Sequence, residues 1–217
     1  MRDPKILLML NGGLSANERS AAIRAAERFR EFEVKVDIIG SGDAKLPPSR
    51  QAAALCRCIF GGEKETLGSY EFEQARGIFG REPPQFIPVG VTPEKLFFWD
   101  RESGRQPVER LGIYGAGAAL SLADMRKLGQ SGAYRGYSPE TLMEAVEIAL
   151  ARDIGRALIS SQRIMKGGDC ASADCIMQKA ENILEFAQMA CARTDFCGEC
   201  RGDLKSAVNY TRHFAMA

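Results

Sequence analysis

Apolar and polar positions at the start of the chain follow the pattern of a β–α–β unit. Residues 6–10 form a continuous apolar run, which is typical of a buried strand. Ser15 and Glu18 have the spacing of a capping box, and the apolar residues after them recur at helical spacing, which predicts a helix over residues 16–32. Residues 34–38 alternate between apolar and polar, so a second strand follows, and we expect it to lie parallel to the first.

The middle of the chain contains shorter segments. Helical composition predicts a helix over residues 49–60 and a short helix over residues 69–78. Residues 85–99 predict a strand, a turn and a second apolar segment. The apolar stretch 111–122 contains a Gly-Ala-Gly sequence, but the third glycine of a nucleotide-binding loop is missing. We interpret this stretch as a strand whose small residues let another backbone pack closely.

A long central helix is predicted over residues 139–165, where apolar residues keep a period near 3.6. Ser138 is its cap, and Pro139 occupies the first helical position, where proline is favoured. A further helix is predicted over residues 175–192. Residues 206–217 are expected to form a loosely held tail.

These elements predict an α/β (α+β) fold in which a twisted mixed sheet packs against helices. A chain of 217 residues suits a single domain, which we place at residues 1–205, and it is long enough to bury a core. Residues 1–168 would form the sheet-and-helix part, which includes the central helix. Residues 169–205 would form a smaller C-terminal part that contains most of the cysteines.

Charge and hydropathy exclude several classes of partner. The chain has 29 basic and 28 acidic residues, so its charge indicates no nucleic-acid partner. The longest apolar run is too short to span a membrane, and an acidic residue precedes it, which is unlike a signal peptide. We therefore expect a cytoplasmic protein whose cysteines stay reduced. The sequence does not indicate an oligomeric state.

Five of the seven cysteines lie between residues 170 and 200, and four of them form two close pairs. Two such pairs, about twenty residues apart, have the spacing of a tetrahedral zinc site to which each pair supplies two thiolates. The predicted ligands are Cys170, Cys175, Cys197 and Cys200. Disulfides or an iron–sulfur cluster could use the same residues. No role is assigned to Cys56, Cys58 or Cys191.

This pattern resembles that of the archaemetzincins, which are zinc metallopeptidase-like proteins of the metzincin group. In that family a helical His-Glu-x-x-His-x-x-Gly-x-x-His-Cys is followed by x4-Cys-x-Met and later by Cys-x-x-Cys. The second half is present here, in Cys170, Cys175, Met177, Cys197 and Cys200. Looser similarities occur in residues 50–55, 90–97 and 120–125, so the resemblance covers about residues 30–205. It implies a zincin-like fold with one structural zinc ion.

The first half of the family motif is absent. Its three zinc histidines would fall at Ile159, Arg163 and Asp169, and its catalytic glutamate at Ser160. A catalytic zinc needs three protein ligands, whereas isoleucine has no donor atom and arginine repels the metal. The single histidine of the chain is His213, so no other alignment restores the site. Met177, which the family places below its catalytic zinc, is then either the floor of an empty site or an ordinary core residue.

The resemblance therefore implies a non-catalytic relative of the peptidases that binds one structural zinc. The residual cleft could bind a peptide or protein by strand addition, along the edge near residues 89–98. A peptidase with atypical metal ligands, including Asp169, is one alternative. A different chemistry in the former cleft is another, with polar or reactive groups in Ser160, Ser161, Arg163, Lys166, Asp169 and Cys170. An iron–sulfur or redox role for the cysteines is a third.

Overall fold

The computed structural model describes residues 3–39, 86–99, 107–110, 112–114, 117–131, 136–160, 170–180, 182–192 and 194–214. The helices predicted over residues 49–60 and 69–78 lie outside these ranges, as do Cys56 and Cys58. Secondary-structure elements are numbered below in chain order over the described residues.

The predicted β–α–β unit is confirmed. Strand β1 (Lys5–Leu10) leads into helix α1 (Ala16–Glu27), which continues as a 3-10 helix (Arg28–Phe32) and is followed by strand β2 (Lys35–Ile39). The two strands pair in parallel. The capping box is formed, because the Ser15 N–H donates to the Glu18 carboxylate at 2.6 Å and the Glu18 N–H donates to Ser15 Oγ at 3.3 Å.

The sheet gains three further strands, β3 (Phe86–Thr92), β6 (Gly112–Tyr114) and β7 (Ala118–Ser121). Its order is β2-β1-β3-β7-β6, in which β6 alone runs antiparallel to its neighbour. Strands β4 (Leu96–Trp99) and β5 (Pro107–Arg110) form a separate antiparallel pair. The predicted peptide-binding edge near residues 89–98 is wrong for β3, because β3 pairs with β1 on one side and β7 on the other.

Residues 112–114 and 118–121 form an antiparallel pair of strands instead of the single strand expected from their apolar composition. The expected close approach of another backbone is nevertheless present. A Cβ atom at Gly117 would collide with the carbonyl oxygen of Pro88, on the adjacent β3. Glycine is therefore needed here to let the turn into β7 pass close to the next strand.

Four helices follow the sheet: α2 (Ala123–Ser131), α3 (Pro139–Ser160), α4 (Ile183–Cys191) and α5 (Gly198–Phe214). Helix α3 is the predicted central helix, and it packs against α1, α4, α5 and the β3, β6 and β7 strands. Ser138 accepts the Thr141 N–H at 3.2 Å, as expected for its cap. The predicted continuation of α3 beyond Ser160 lies outside the described residues. No described helix combines the length and the apolar composition needed to cross a membrane.

Two predictions for the C-terminal region are wrong. The helix expected over residues 175–192 begins only at Ile183, because residues 170–180 form a turn around the first cysteine pair. The expected tail from residue 206 is helical as far as Phe214. Its buried residues have the spacing of one helix face, which the prediction overlooked; they are Leu204, Ala207, Val208 and Thr211.

Candidate metal centre

The four predicted ligands converge at one point. The Sγ atoms of Cys170, Cys175, Cys197 and Cys200 all lie within 4.8 Å of one another. Cys170 Sγ and Cys197 Sγ are 3.6 Å apart. Tetrahedral zinc with Zn–S bonds of about 2.3 Å would place its sulfur ligands about 3.8 Å apart, so the spacing fits a single ion. A disulfide would require about 2.0 Å, and the described cysteines are all free thiols.

The first pair is held in a tight turn by hydrogen bonds of its own backbone. The Cys170 N–H donates to the carbonyl of Met177 at 3.0 Å, and the Cys175 N–H donates to the carbonyl of Ser172 at 3.2 Å. Each sulfur of the pair also accepts a backbone N–H two residues further on, from Ser172 and Met177, both at 3.4 Å. Such N–H donors stabilise the thiolate form that a metal ion requires.

The second pair is carried by the start of α5. Cys197 directly precedes this helix and Cys200 lies in its first turn, where the helix dipole favours a negative charge. The Cys197 N–H donates to Cys175 Sγ at 3.4 Å, which joins the two pairs. Cys175 also forms an isolated parallel bridge with Asp195. The two cysteine pairs are therefore held together by backbone contacts as well as by their sulfur atoms.

Three of these thiols, those of Cys175, Cys197 and Cys200, differ in their tendency to ionise. Burial raises the pKa of Cys175 to about 11, and burial also raises the pKa of Cys200. Burial acts in the same direction on Cys197, but hydrogen bonds from the Cys200 N–H and from neighbouring thiols outweigh it and lower the pKa of Cys197. Ionising all four thiols together therefore needs a compensating cation at their centre. The donor set fits a thiophilic divalent ion such as zinc.

An aromatic cluster attaches this centre to the rest of the fold. Phe196, next to Cys197, packs edge-on against Phe29 and Phe32, with ring centroids 5.6 and 6.0 Å away. Phe196 is buried, as are both of its partners. Because Phe29 and Phe32 belong to the 3-10 helix after α1, the cysteine centre packs against the opening β–α–β unit as well as against α3.

Met177 occupies the contact between the cysteine turn and α3. Its side chain is 3% exposed, and a Cβ atom at Gly155 would lie only 2.9 Å from Met177 Sδ. Gly155 precedes Ile159 by about one helical turn, so the absence of a side chain there leaves room for the methionine. This arrangement agrees with the interpretation of Met177 as a core residue.

The positions that correspond to the first half of the family motif are only partly within the described structure. Ile159 is 2% exposed and belongs to the hydrophobic core. Ser160 is the last described residue of α3, and nothing is described of its side chain. Arg163 and Asp169 lie outside the described residues, as do Ser161 and Lys166. At the one position whose side chain is described, the chain therefore offers apolar packing and no ligand atom.

Other titratable groups remain outside the centre. Cys191 is exposed at the end of α4, and His213 is exposed in the last turn of α5. On α3, burial raises the pKa of Asp153 to about 6, although the charges of Arg152 and Arg156 act in the opposite direction. Among the described residues, only the four cysteines form a group of three or more histidine, cysteine or acidic side chains whose donor atoms lie close enough to bind one metal ion.

Two residues near the cysteines were missed by the sequence analysis. Asp195 and Arg201 flank the second pair, and Arg201 Nη2 lies 2.7 Å from Asp195 Oδ2. Their signal in the sequence was an acidic residue two positions before one cysteine and a basic residue directly after the other. Charged residues are common beside cysteines, so this signal has little specificity without the contacts.

Neither the family models nor the curated proteins include a match to this chain. Solved structures of two archaemetzincins do match. The archaemetzincin from Methanopyrus kandleri has a TM-score of 0.56 at 20% sequence identity, covering 96% of this chain and 97% of that chain. The archaemetzincin from Archaeoglobus fulgidus, solved in complex with malonate, has a TM-score of 0.45 at 16% identity, covering 92% and 99%. The first comparison shows that the fold is that of the archaemetzincins, as the sequence resemblance implied; the second is too distant to add an argument.

Proposed function

We propose that this chain, which has the archaemetzincin fold, is a non-catalytic protein that binds one structural zinc ion. The observation that carries the proposal is the contrast between two sets of positions. Four sulfur atoms lie within 4.8 Å of one another, whereas Ile159, where the family motif would place its first zinc histidine, is buried in the core. A metal ion at the cysteines would stabilise the C-terminal region by joining its two turns, since metal binding to such a site is coupled to folding.

The donor set and its dimensions favour zinc over an iron–sulfur cluster. Thiolates bind zinc in closed tetrahedral sites, with no position left for water, so such a site has a structural role. An iron–sulfur cluster places several metal and sulfide atoms between its cysteines, which keeps the thiolates farther apart than those of a single ion. A largest separation of 4.8 Å between the sulfur atoms supports a single ion.

The proposal includes a peptide or protein ligand in the residual cleft. Because β3 lies inside the sheet, strand addition would have to use an outer strand. Strand β6 is suited to this role. Among the described strands it pairs only with β7, which leaves its other edge for a peptide, and it packs against α3. Addition of unstructured peptides should slow amide hydrogen exchange in residues 112–114, and no change in exchange there at millimolar peptide would reject this part.

The metal and activity parts are tested together on one preparation. We expect elemental analysis to find one zinc ion per chain, a colourless protein, and no cleavage of generic peptide or protein substrates. Two zinc ions per chain, or hydrolysis that stops when a chelator is added, would favour the alternative peptidase whose ligands include Asp169. A brown protein that contains iron and sulfide would support the cluster.

A further inference from the structure

One acidic residue contacts both halves of the cysteine centre. The carbonyl of Asp195 accepts the Ile176 N–H at 3.1 Å, beside the bridge between Asp195 and Cys175. The Asp195 carboxylate accepts the Phe196 N–H at 2.8 Å through Oδ1. Asp195 therefore connects the turn of the first cysteine pair to the segment that leads into the second.

Arg201 directly follows the second pair, and its side chain contacts the two residues that precede that pair, Asp195 and Phe196. Its Nη2 lies 2.7 Å from Asp195 Oδ2, and its Nε donates to the carbonyl of Phe196 at 3.0 Å. Its Nη1 contacts Glu31, in the 3-10 helix, at 2.6 Å. One guanidinium group thus holds both residues that precede the second pair and attaches them to a different part of the fold. Because the guanidinium group is planar and rigid, the directions of these three contacts are fixed relative to one another.

We propose that Asp195 and Arg201 are positioning residues of the metal centre. They keep the second cysteine pair in its binding geometry and thereby slow the release of the metal. This inference rests on the proposed function, because it requires a metal ion on the four cysteines. Neither residue is among the ligands that converge at the centre. They act through the backbone that leads into Cys197, since their side chains hydrogen-bond the N–H and the carbonyl of Phe196, which directly precedes that cysteine.

The test compares two arginine variants of the zinc-loaded full chain, Arg201→Gln and Arg212→Gln. Both arginines lie on α5 and pair with acidic residues of other elements, but Arg212 pairs with Asp3 and Glu33 near the other end of the helix. The rate and extent of zinc transfer to a competing chelator are measured. We expect Arg201→Gln to weaken zinc binding by about tenfold or more, which is the usual effect of losing an outer-shell partner. We expect Arg212→Gln to change it by less than about twofold, because its contacts are remote from the cysteines.

Substitution of Asp195 by asparagine separates its hydrogen bond to the backbone from its ion pairs. In Asp195→Asn the side-chain oxygen can still accept the Phe196 N–H, but the ion pair with Arg201 is lost, and so is a second one with Arg28, whose Nη1 lies 3.2 Å from Asp195 Oδ1. We expect a smaller weakening than in Arg201→Gln, and the two substitutions combined should weaken zinc binding by less than the product of their separate effects, because both remove the ion pair between Asp195 and Arg201. Arg201→Lys keeps the charge without the planar fork, so it should bind zinc with intermediate affinity, and it replaces Arg201→Gln in the test if that variant does not fold.

Cobalt(II), bound in place of zinc, reports on the ligands themselves. The spectrum should be that of a tetrahedral four-thiolate site in the parent and in every variant, with only the release rate increased. A spectrum with fewer thiolates in Arg201→Gln would overturn the proposal, because it would mean that a ligand has been displaced. Equal weakening in Arg201→Gln and Arg212→Gln, or none in either, would overturn it too. A parent chain that binds no metal would instead contradict the proposed function.

Discussion

The four-cysteine centre and the C-terminal turns of α3 are neighbours, and Met177 packs between them, but they differ in what their side chains offer. At the centre, two half-buried and two buried thiols face one another within 4.8 Å. On α3, Gly155 and Ile159 provide apolar packing. In the family motif both regions would bind a metal, whereas here the described residues offer metal ligands in only one of them.

This difference is explained if the cysteine centre is needed for folding stability, whereas the α3 positions would be needed only for catalysis. A closed four-thiolate site would contribute to folding, so losing a ligand would destabilise the whole C-terminal region. A catalytic site contributes to turnover, and its ligands can be replaced by apolar residues that pack well without loss of stability. Ile159 is well packed, since it is 2% exposed and part of the core.

The largest effect is expected from the substitution of one ligand. Cys197→Ser removes a thiolate from the centre, so it should weaken metal binding by about 100-fold or more and lower the temperature of unfolding. Cys191→Ser is the matched control, because Cys191 is exposed on α4 and not part of the convergent group. Elemental analysis after dialysis against a chelator, with thermal unfolding of the same samples, measures both quantities. Unchanged metal content in Cys197→Ser would show that the ligand set is wrong.

Met177 lies between the two regions, so its substitution should lower the free energy of unfolding and leave the zinc content unchanged. Met177→Ala creates a cavity in the core and should cost about 2–5 kcal/mol of the free energy of unfolding, whereas Met177→Leu should cost less than about 1.5 kcal/mol. Both variants should keep one zinc ion, because Met177 contributes only its backbone N–H and carbonyl to the cysteine turn. Chemical denaturation and elemental analysis test this. Loss of zinc in Met177→Leu would place the side chain in the metal centre.

The smallest effect concerns the buried carboxyl group on α3. Burial raises the pKa of Asp153 to about 6 from an ordinary value of 3.8, so the folded protein binds this proton more tightly than the unfolded chain does. The resulting stabilisation is complete below about pH 4 and is lost as the pH rises through about 6. Asp153→Asn should therefore unfold with a higher free energy than the parent above pH 7, by at most about 3 kcal/mol, and lose that advantage at acidic pH.

Denaturation curves at several pH values measure this difference. Glu144→Gln is the control, because it makes the same change from carboxyl to amide at an exposed position of the same helix. An Asp153→Asn variant that is less stable than the parent at every pH would mean that the ionised carboxylate has a stabilising partner in the fold.

Local signals in the sequence predicted those parts of the fold that depend on neighbouring residues. The capping box at Ser15 and Glu18 and the cap at Ser138 are formed as expected, because their hydrogen bonds join residues three positions apart. The convergence of the cysteines was predicted for a related reason. Two short spacings each require a tight turn, and the metal site that they resemble requires those turns to meet.

Contacts between distant segments could not be predicted in this way. Strand β3 looked like an edge strand, and its position between β1 and β7 depends on pairings that its own residues do not encode. The helical course of α5 beyond residue 206 was missed because its exposed face is polar, and its apolar face was recognisable only at helical spacing. Asp195 and Arg201 were missed because their roles depend on atoms brought together by the second cysteine pair.

One contact described above also constrains when the protein can complete its fold during synthesis. Arg212 Nε lies 3.1 Å from Asp3 Oδ1, so the last described helix is attached to the residues that precede β1. At about 5–20 residues per second, a ribosome needs roughly 10–40 s to make the chain between these two residues. During that time the opening β–α–β unit lacks its contact with the C-terminal helix, and a metal ion cannot bind all four thiols until Cys200 has been made.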